Sequence, residues 1–347
     1  MKRWRGHATR GVLLVAAAIS FYFMLPGLLE VFTSWRSLRD LEPGWIAAAL
    51  ALEAASFVCT WALQRVALGK PLWFAVSTSQ LAGNALGRVV PGGAAAASAV
   101  QYRMLLRAGA SPVRIASGLA AASALLFASL FALPVLAVPA ILRGTPIDAL
   151  LERGALLGAA AFVLMLAVGI VAFAFDRPLR VVGRAGEWAL RATRRFAGRA
   201  DGLTESLLAE RDTLLRVFGE GWKIALAAAL ARWLFDFFAL VAVLYSVSAD
   251  PPMAATLLAY VTATVLGQIP ITPGGLGFVE AGLTATLALV GVGAGPALVA
   301  TLAYRLISFW LPIPAGAVAY GLFRRRYGKS AVPPLQVVAS GHRTTGA

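Results

Sequence analysis

Two apolar stretches of this 347-residue chain are broken by the same tripeptide, Pro-Gly-Gly. One reads Leu86-Gly87-Arg88-Val89-Val90-Pro91-Gly92-Gly93, the other Leu266-Gly267-Gln268-Ile269-Pro270-Ile271-Thr272-Pro273-Gly274-Gly275. Proline removes a backbone donor and glycine releases the chain from helical geometry, so a helix is expected to stop at both points. In hydrocarbon an exposed N–H or C=O costs several kcal/mol, and such breaks survive only against protein or a water-filled cavity. Matched interruptions in the two halves of a membrane protein point to a transporter's central binding site.

Composition puts those breaks in a bilayer. The chain is 59% hydrophobic, has a mean hydropathy of +0.77 and is only 14% charged, against roughly 25% charge in a soluble domain. Its long Ala/Leu/Val-rich runs do not alternate as barrel strands do, which leaves an all-α polytopic membrane protein. The net charge of +15 comes from 31 basic residues, 27 of them Arg. In a membrane protein that excess belongs to cytoplasmic loops and anionic headgroups, so nucleic acid is not an expected partner. The lone Cys59 lies in an apolar run, and His7 and His342 sit at the polar ends. No metal site, cofactor or histidine catalysis is therefore expected. No P-loop is present either.

A span needs about 20 apolar residues, and six runs qualify: Gly11–Phe32, Trp45–Leu68, Ile115–Leu142, Ala155–Phe175, Ile224–Val247 and Ala297–Phe323. Between them lie the broken segments, Leu72–Val90 with Ala94–Leu106, and Met253–Ile269 with Leu276–Val292. With the N-terminus inside and each broken segment returning to its own side, 24 basic residues fall in cytoplasmic loops. Arg36, Arg39, Arg143 and Arg153 fall outside. This asymmetry predicts cytoplasmic termini, six full transmembrane helices and two inverted re-entrant helix pairs. Crossing parity does not separate re-entry from two complete spans; the lack of Lys and Arg over Gly267–Glu280 favours re-entry. The first 25 residues have the basic start and apolar core of a signal peptide, but no small-x-small site follows, so a retained span is expected.

The expected organisation is one transmembrane domain over 1–325, with halves at about 11–175 and 221–325. A cytoplasmic amphipathic linker, 176–220, joins them, and Trp188, Phe196, Leu207 and Phe218 punctuate its charges. It reads as a linker helix with a solvated face, or as a regulatory element. Residues 326–347 read as a disordered cytoplasmic tail.

Ionisable groups in spans cost roughly 2.5 to 3.5 kcal/mol each on insertion scales. Those present are Glu53, Arg88, Arg232, Asp236, Glu280 and Arg305. Arg232 and Asp236, four apart, share a helix face and can pair. Arg305 has no acid on its own helix, so it pairs across helices, with Glu280 the best candidate, or holds an anionic ligand. Glu53 is either packed neutral or functional. Arg103 is either a positive-inside residue or part of a phosphate-capturing mouth. Helices restarting near Ala94 and Leu276 would aim free N–H groups and partial positive charge into the cavity. Arg88, Arg103 and Arg305 are thus the candidate phosphate ligands, and Glu280, Arg232, Asp236 and Glu53 the candidates for charge balance or coupling. Pro91, Gly92, Gly93, Pro273, Gly274 and Gly275 are the candidate cavity lining.

Pro91-Gly92-Gly93 followed by Gln101-Tyr102-Arg103-Met104-Leu105 resembles the first signature of the lysylphosphatidylglycerol synthase transmembrane region family. Thr272-Pro273-Gly274-Gly275-Leu276-Gly277-Phe278-Val279-Glu280-Ala281 resembles its second signature. Tyr304-Arg305-Leu306 through Trp310-Leu311-Pro312 resembles its last helix. The resemblance covers about residues 10–325 and implies a flippase-like fold of two pseudo-symmetric halves. Lipid-synthesising relatives carry an aminoacyltransferase domain after the membrane region; here the chain ends soon after Arg324-Arg325-Arg326, so no aminoacylation is implied, and the expected protein is not an enzyme. Many relatives also place Glu after the first break, where this chain has Ala94–Ala97, so a proton or cation role there does not carry over.

The expected function is a flippase moving an anionic phospholipid or polyprenyl-phosphate-linked lipid across a bacterial-type plasma membrane by alternating access. A homo-oligomer or a separate lipid-modifying enzyme would be its protein partners. The rival is a small-solute secondary transporter, which needs a closed polar cavity and no groove open to lipid.

Overall fold

The computed structural model describes residues 41–90, 93–139, 219–268 and 273–328, with scattered positions from 153 to 212. The expected first span, most of the Ala155–Phe175 span and of the linker, the tail beyond 328, Pro91 and Gly92 lie outside the described residues. Within them the architecture is helical, without strands.

Helix α1 (Pro43–Ala67) starts on a proline, whose missing N–H costs nothing in a first turn. Helix α2 (Trp73–Val89) ends where Val90 turns extended, the conformation imposed on a residue before proline. Helix α3 (Gly93–Arg107) follows the break. Helix α4 (Pro112–Ala132) is capped by the Ser111 hydroxyl accepting from the Arg114 N–H, and runs into a 3-10 turn over Leu133–Ala137. In the second half, α5 (Trp222–Ser246) leads to α6 (Met253–Gly267), a single 3-10 turn at Pro273–Gly275, and α7 (Phe278–Leu289). Helix α8 (Ala294–Arg305) passes through one π turn, Leu306–Trp310, into α9 (Pro312–Tyr327).

Among the described residues four helices are long and apolar enough to cross a membrane: α1, α4 with its 3-10 turn, α5, and the 34-residue α8–α9 unit. Helices α6 and α7, at 15 and 12 residues, reach roughly 22 and 18 Å, short of the ~30 Å hydrocarbon layer. The chain is a polytopic helical membrane protein.

Close approach through small residues holds the helices together, as expected where lipid removes the hydrophobic drive to associate. Helix α5 lies along α1, α9 along α2, and α3 folds back on α2. The α2–α3 contact runs over Gly83, Gly87 and Gly93. A Cβ on Gly83 would lie 2.8 Å from the Ala97 carbonyl oxygen, and one on Gly93 would overlap the Gly87 carbonyl. Trp233 anchors α5 to α4, its Nε1 donating to the Leu126 carbonyl at 2.9 Å and to Ser129 Oγ at 3.1 Å.

A methyl group at residue 93 forces α2 and α3 apart, so Gly93→Ala should cost about 1–3 kcal/mol of stability. Gly321→Ala, in an exposed turn of α9 with open space around it, should gain about 0.5–1 kcal/mol from helix propensity. Unfolding midpoints in detergent check the opposite signs.

Candidate functional site

The second break is held by one arginine. Pro273 opens the 3-10 turn, Gly274 takes φ 61 and Gly275 φ 71. A Cβ on Gly274 would run into the Phe309 ring, so only glycine fits there. The Gly274 carbonyl accepts from Arg305 Nη2 at 3.2 Å, while Arg305 Nε donates to Glu280 Oε1 at 2.7 Å. Glu280 in turn caps its own helix, Oε2 accepting from the Gly277 N–H at 2.8 Å. Arg305 and Glu280 are 8% and 9% exposed, and a buried pair keeps its strength only when its remaining donors and acceptors are met. The turn, the α7 N-terminus and α8 are therefore one hydrogen-bonded unit.

A proline also explains the π turn. Pro312 has no N–H for the Ser308 carbonyl four residues earlier, and the Leu311 N–H bonds instead to the Leu306 carbonyl five residues back, at 2.9 Å. Arg88, from the end of α2, supplies the missing donor. Its Nη1 donates to the Ser308 carbonyl and, at 2.6 Å, to the Phe309 carbonyl. The guanidinium carbons of Arg88 and Arg305 lie 5.1 and 4.2 Å from the centre of the Phe309 ring. The 3-10 turn packs against α2, bringing the second break beside the residue that precedes the first.

Asp236 is also buried, 5% exposed. Its Oδ2 accepts from Arg232 Nη1 at 3.0 Å and from the Tyr260 hydroxyl at 2.8 Å; its Oδ1 accepts from the Tyr304 hydroxyl at 2.7 Å. Arg232 also covers the Trp233 ring at 3.7 Å. Glu53, from α1, lies among Asp236, Arg232 and Arg88, and its Oε2 is buried without a hydrogen-bond partner among the described residues.

These side chains line a cavity of about 330 Å³, together with Thr264, Gln268 and Ser308. Of the residues singled out in the sequence, Glu53, Arg88, Arg232, Asp236, Arg305 and Gly274 meet here. Glu280 stands behind Arg305 without lining the space. Arg103 does not join the others. It is exposed on α3, ten residues past Gly93 and so roughly 15 Å along the helix. Gly93 and Gly275 are used in packing, against Gly87 and Gly267, and do not line the cavity. The expected free N–H groups ahead of α7 are also partly spent, because Glu280 takes the Gly277 N–H.

Sequence reasoning missed Tyr260, Tyr304, Trp233 and Phe309. Tyr304 carried a signal as the neighbour of Arg305. Phe309 was legible only once Gly274 was known to rest on it. Among the described residues no cluster of metal-ligating side chains occurs.

The model of the lysylphosphatidylglycerol synthase TM region family matches residues 11–316. Two proteins of Methanothermobacter thermautotrophicus, each described as a UPF0104 membrane protein, are similar over shorter stretches. One is 25% identical over 175 residues, 47% of this chain and 52% of the relative. The other is 30% identical over 104 residues, 30% of this chain and 28% of the relative. The chain spans about half the length of the first relative and under a third of the second.

Tyr304 donates to Asp236 Oδ1, whereas Oδ2 accepts from both Arg232 and Tyr260. Tyr304→Phe should therefore cost about 1–3 kcal/mol, the penalty of an orphaned buried acceptor, and Tyr260→Phe about 0.5–1.5 kcal/mol. Denaturant unfolding of the two variants tests the order.

Proposed function

This chain belongs to the lysylphosphatidylglycerol synthase TM region family, and on that footing we propose that it is a flippase carrying an anionic lipid between leaflets by alternating access. One observation carries the reading: the charged cavity shares a wall with an apolar groove. The groove, about 350 Å³, runs along α1 (Leu50, Ala54, Phe57, Val58, Trp61), past Leu81 of α2, to Ile307, Leu311, Pro312 and Ala315. Glu53 belongs to both linings. Leu50, Val58 and Leu311 are 40%, 47% and 51% exposed, so the groove opens onto the outer surface of the helices. An amphiphile fits that pairing, its headgroup in the cavity and its chain in the groove. A small solute has no use for the groove.

In this reading Arg88 and Arg305 hold the phosphate. Each guanidinium has five N–H donors; among the described residues Arg88 commits Nη1, and Arg305 commits Nε and Nη2. Arg103 meets the lipid at a cavity mouth. Glu280, Arg232, Asp236 and Glu53 balance charge or couple movement to protons. The Pro-Gly-Gly breaks open the cavity to each side in turn, within six full crossings and two inverted re-entrant pairs. The short reach of α6 and α7 supports re-entry. The halves at about 11–175 and 221–325 move against each other about the linker 176–220. The protein is a transporter and not an enzyme, working without a cofactor in the plasma membrane, with both termini cytoplasmic. A second copy or a separate lipid-modifying enzyme would be its protein partner.

Transport of a fluorescent anionic phospholipid in reconstituted vesicles tests this. Arg305→Ala and Glu280→Gln should each slow it by about tenfold or more, the loss of a charge-assisted hydrogen bond. Unchanged transport in both variants would show the site assignment to be wrong.

A further inference from the structure

Beside the charged cavity lies a second chamber of about 270 Å³, with Glu53, Arg88 and Arg232 in the shared wall. Its remaining polar lining is uncharged and includes Gln64, Gln80, Asn84 and Ser123. Amides inside spans are costly unless hydrogen-bonded, and these are only half-committed. Gln64 Oε1 accepts from Gln101 Nε2 at 2.7 Å, and Gln80 Oε1 accepts from Trp61 Nε1 at 3.0 Å. With both oxygens held by the protein, the NH2 ends are left as donors among the described residues. Two acceptors face the opposite shortage. Among the described residues Asn84 Oδ1 and Glu53 Oε2 are buried with no hydrogen-bond partner, and Glu53 is only 6% exposed.

Interleaved donors and acceptors select a ligand that can both give and take hydrogen bonds. An ammonium headgroup only donates; it would leave the two glutamine amides unmet and lie against Arg88 and Arg232. A bare phosphate only accepts, and would leave Asn84 and Glu53 orphaned. A hydroxyl does both. Resting on the lipid-transport reading, we propose that this chamber holds a hydroxyl-rich headgroup, a sugar or cyclitol, joined to its lipid through the phosphate bound by the arginines. Two kinds of lipid share that chemistry: a glycerophospholipid with a cyclitol headgroup and a glycosylated polyprenyl phosphate.

The test is lipid binding to the full chain in nanodiscs, read by native mass spectrometry with two pairs of probes. Phosphatidylinositol is compared with phosphatidic acid, and a hexosyl polyprenyl phosphate with the polyprenyl phosphate alone. In at least one pair the hydroxyl-rich member should bind roughly tenfold tighter, and the pair that shows it identifies the lipid class. Asn84→Leu should cut that preference to about threefold or less while the phosphate-only lipid binds as before. Equal binding within both pairs by the unaltered protein overturns the inference, whether or not Asn84→Leu folds, and leaves anionic-lipid transport standing. Binding of none of the four, or binding indifferent to Arg305→Ala, overturns the transport reading itself.

Discussion

Carbonyls that proline and glycine strip of their helical donors must find new ones, and two arginines supply them. Arg88 reaches from the end of α2 to the Ser308 and Phe309 carbonyls, and Arg305 reaches back to Gly274. In a low-dielectric interior an orphaned backbone group is too costly to leave, so these bonds are conditions for the breaks to exist. Guanidinium suits the task because it stays charged and spreads five donors in a plane. Each can bond a carbonyl, lie near the Phe309 ring and still present N–H groups to the cavity.

The same residues thus join scaffold and site. Moving Arg305 disturbs Glu280, and through Glu280 the start of α7. Moving Arg88 frees the π turn from which α9 departs. A ligand that competed for either guanidinium would act directly on a helix break, which in the proposed transport cycle would link headgroup binding to the segments that move. Asp236 stands differently. Three donors from α5, α6 and α8 converge on it, tying three helices together at one buried carboxylate.

Much of this was legible in the chain. The Pro-Gly-Gly elbows, the Arg232–Asp236 spacing and the need of Arg305 for a partner across helices follow from local rules about donors, helical period and the cost of charge in hydrocarbon. What escaped is informative about physics. Tyr260 and Tyr304 look like ordinary apolar-span residues until a carboxylate is placed against them. Gln64, Gln80 and Asn84 carry no charge to mark them in a span, yet the desolvation of a neutral amide also has to be met. Arg103 shares the charge of Arg88, but a helix carries it about ten residues away from the break.

By itself the sequence determined the class of molecule, a helical membrane protein with two proline–glycine interruptions, and the short list of charges it must shelter. Those are consequences of composition and of each residue's own backbone chemistry. Which carbonyl each arginine satisfies, which acid it meets, and the joining of a charged cavity to an apolar groove at Glu53 were decided only in the tertiary structure. Such contacts join residues as far apart as 221 positions, and no local period or propensity encodes a meeting between side chains on helices whose packing is not yet known.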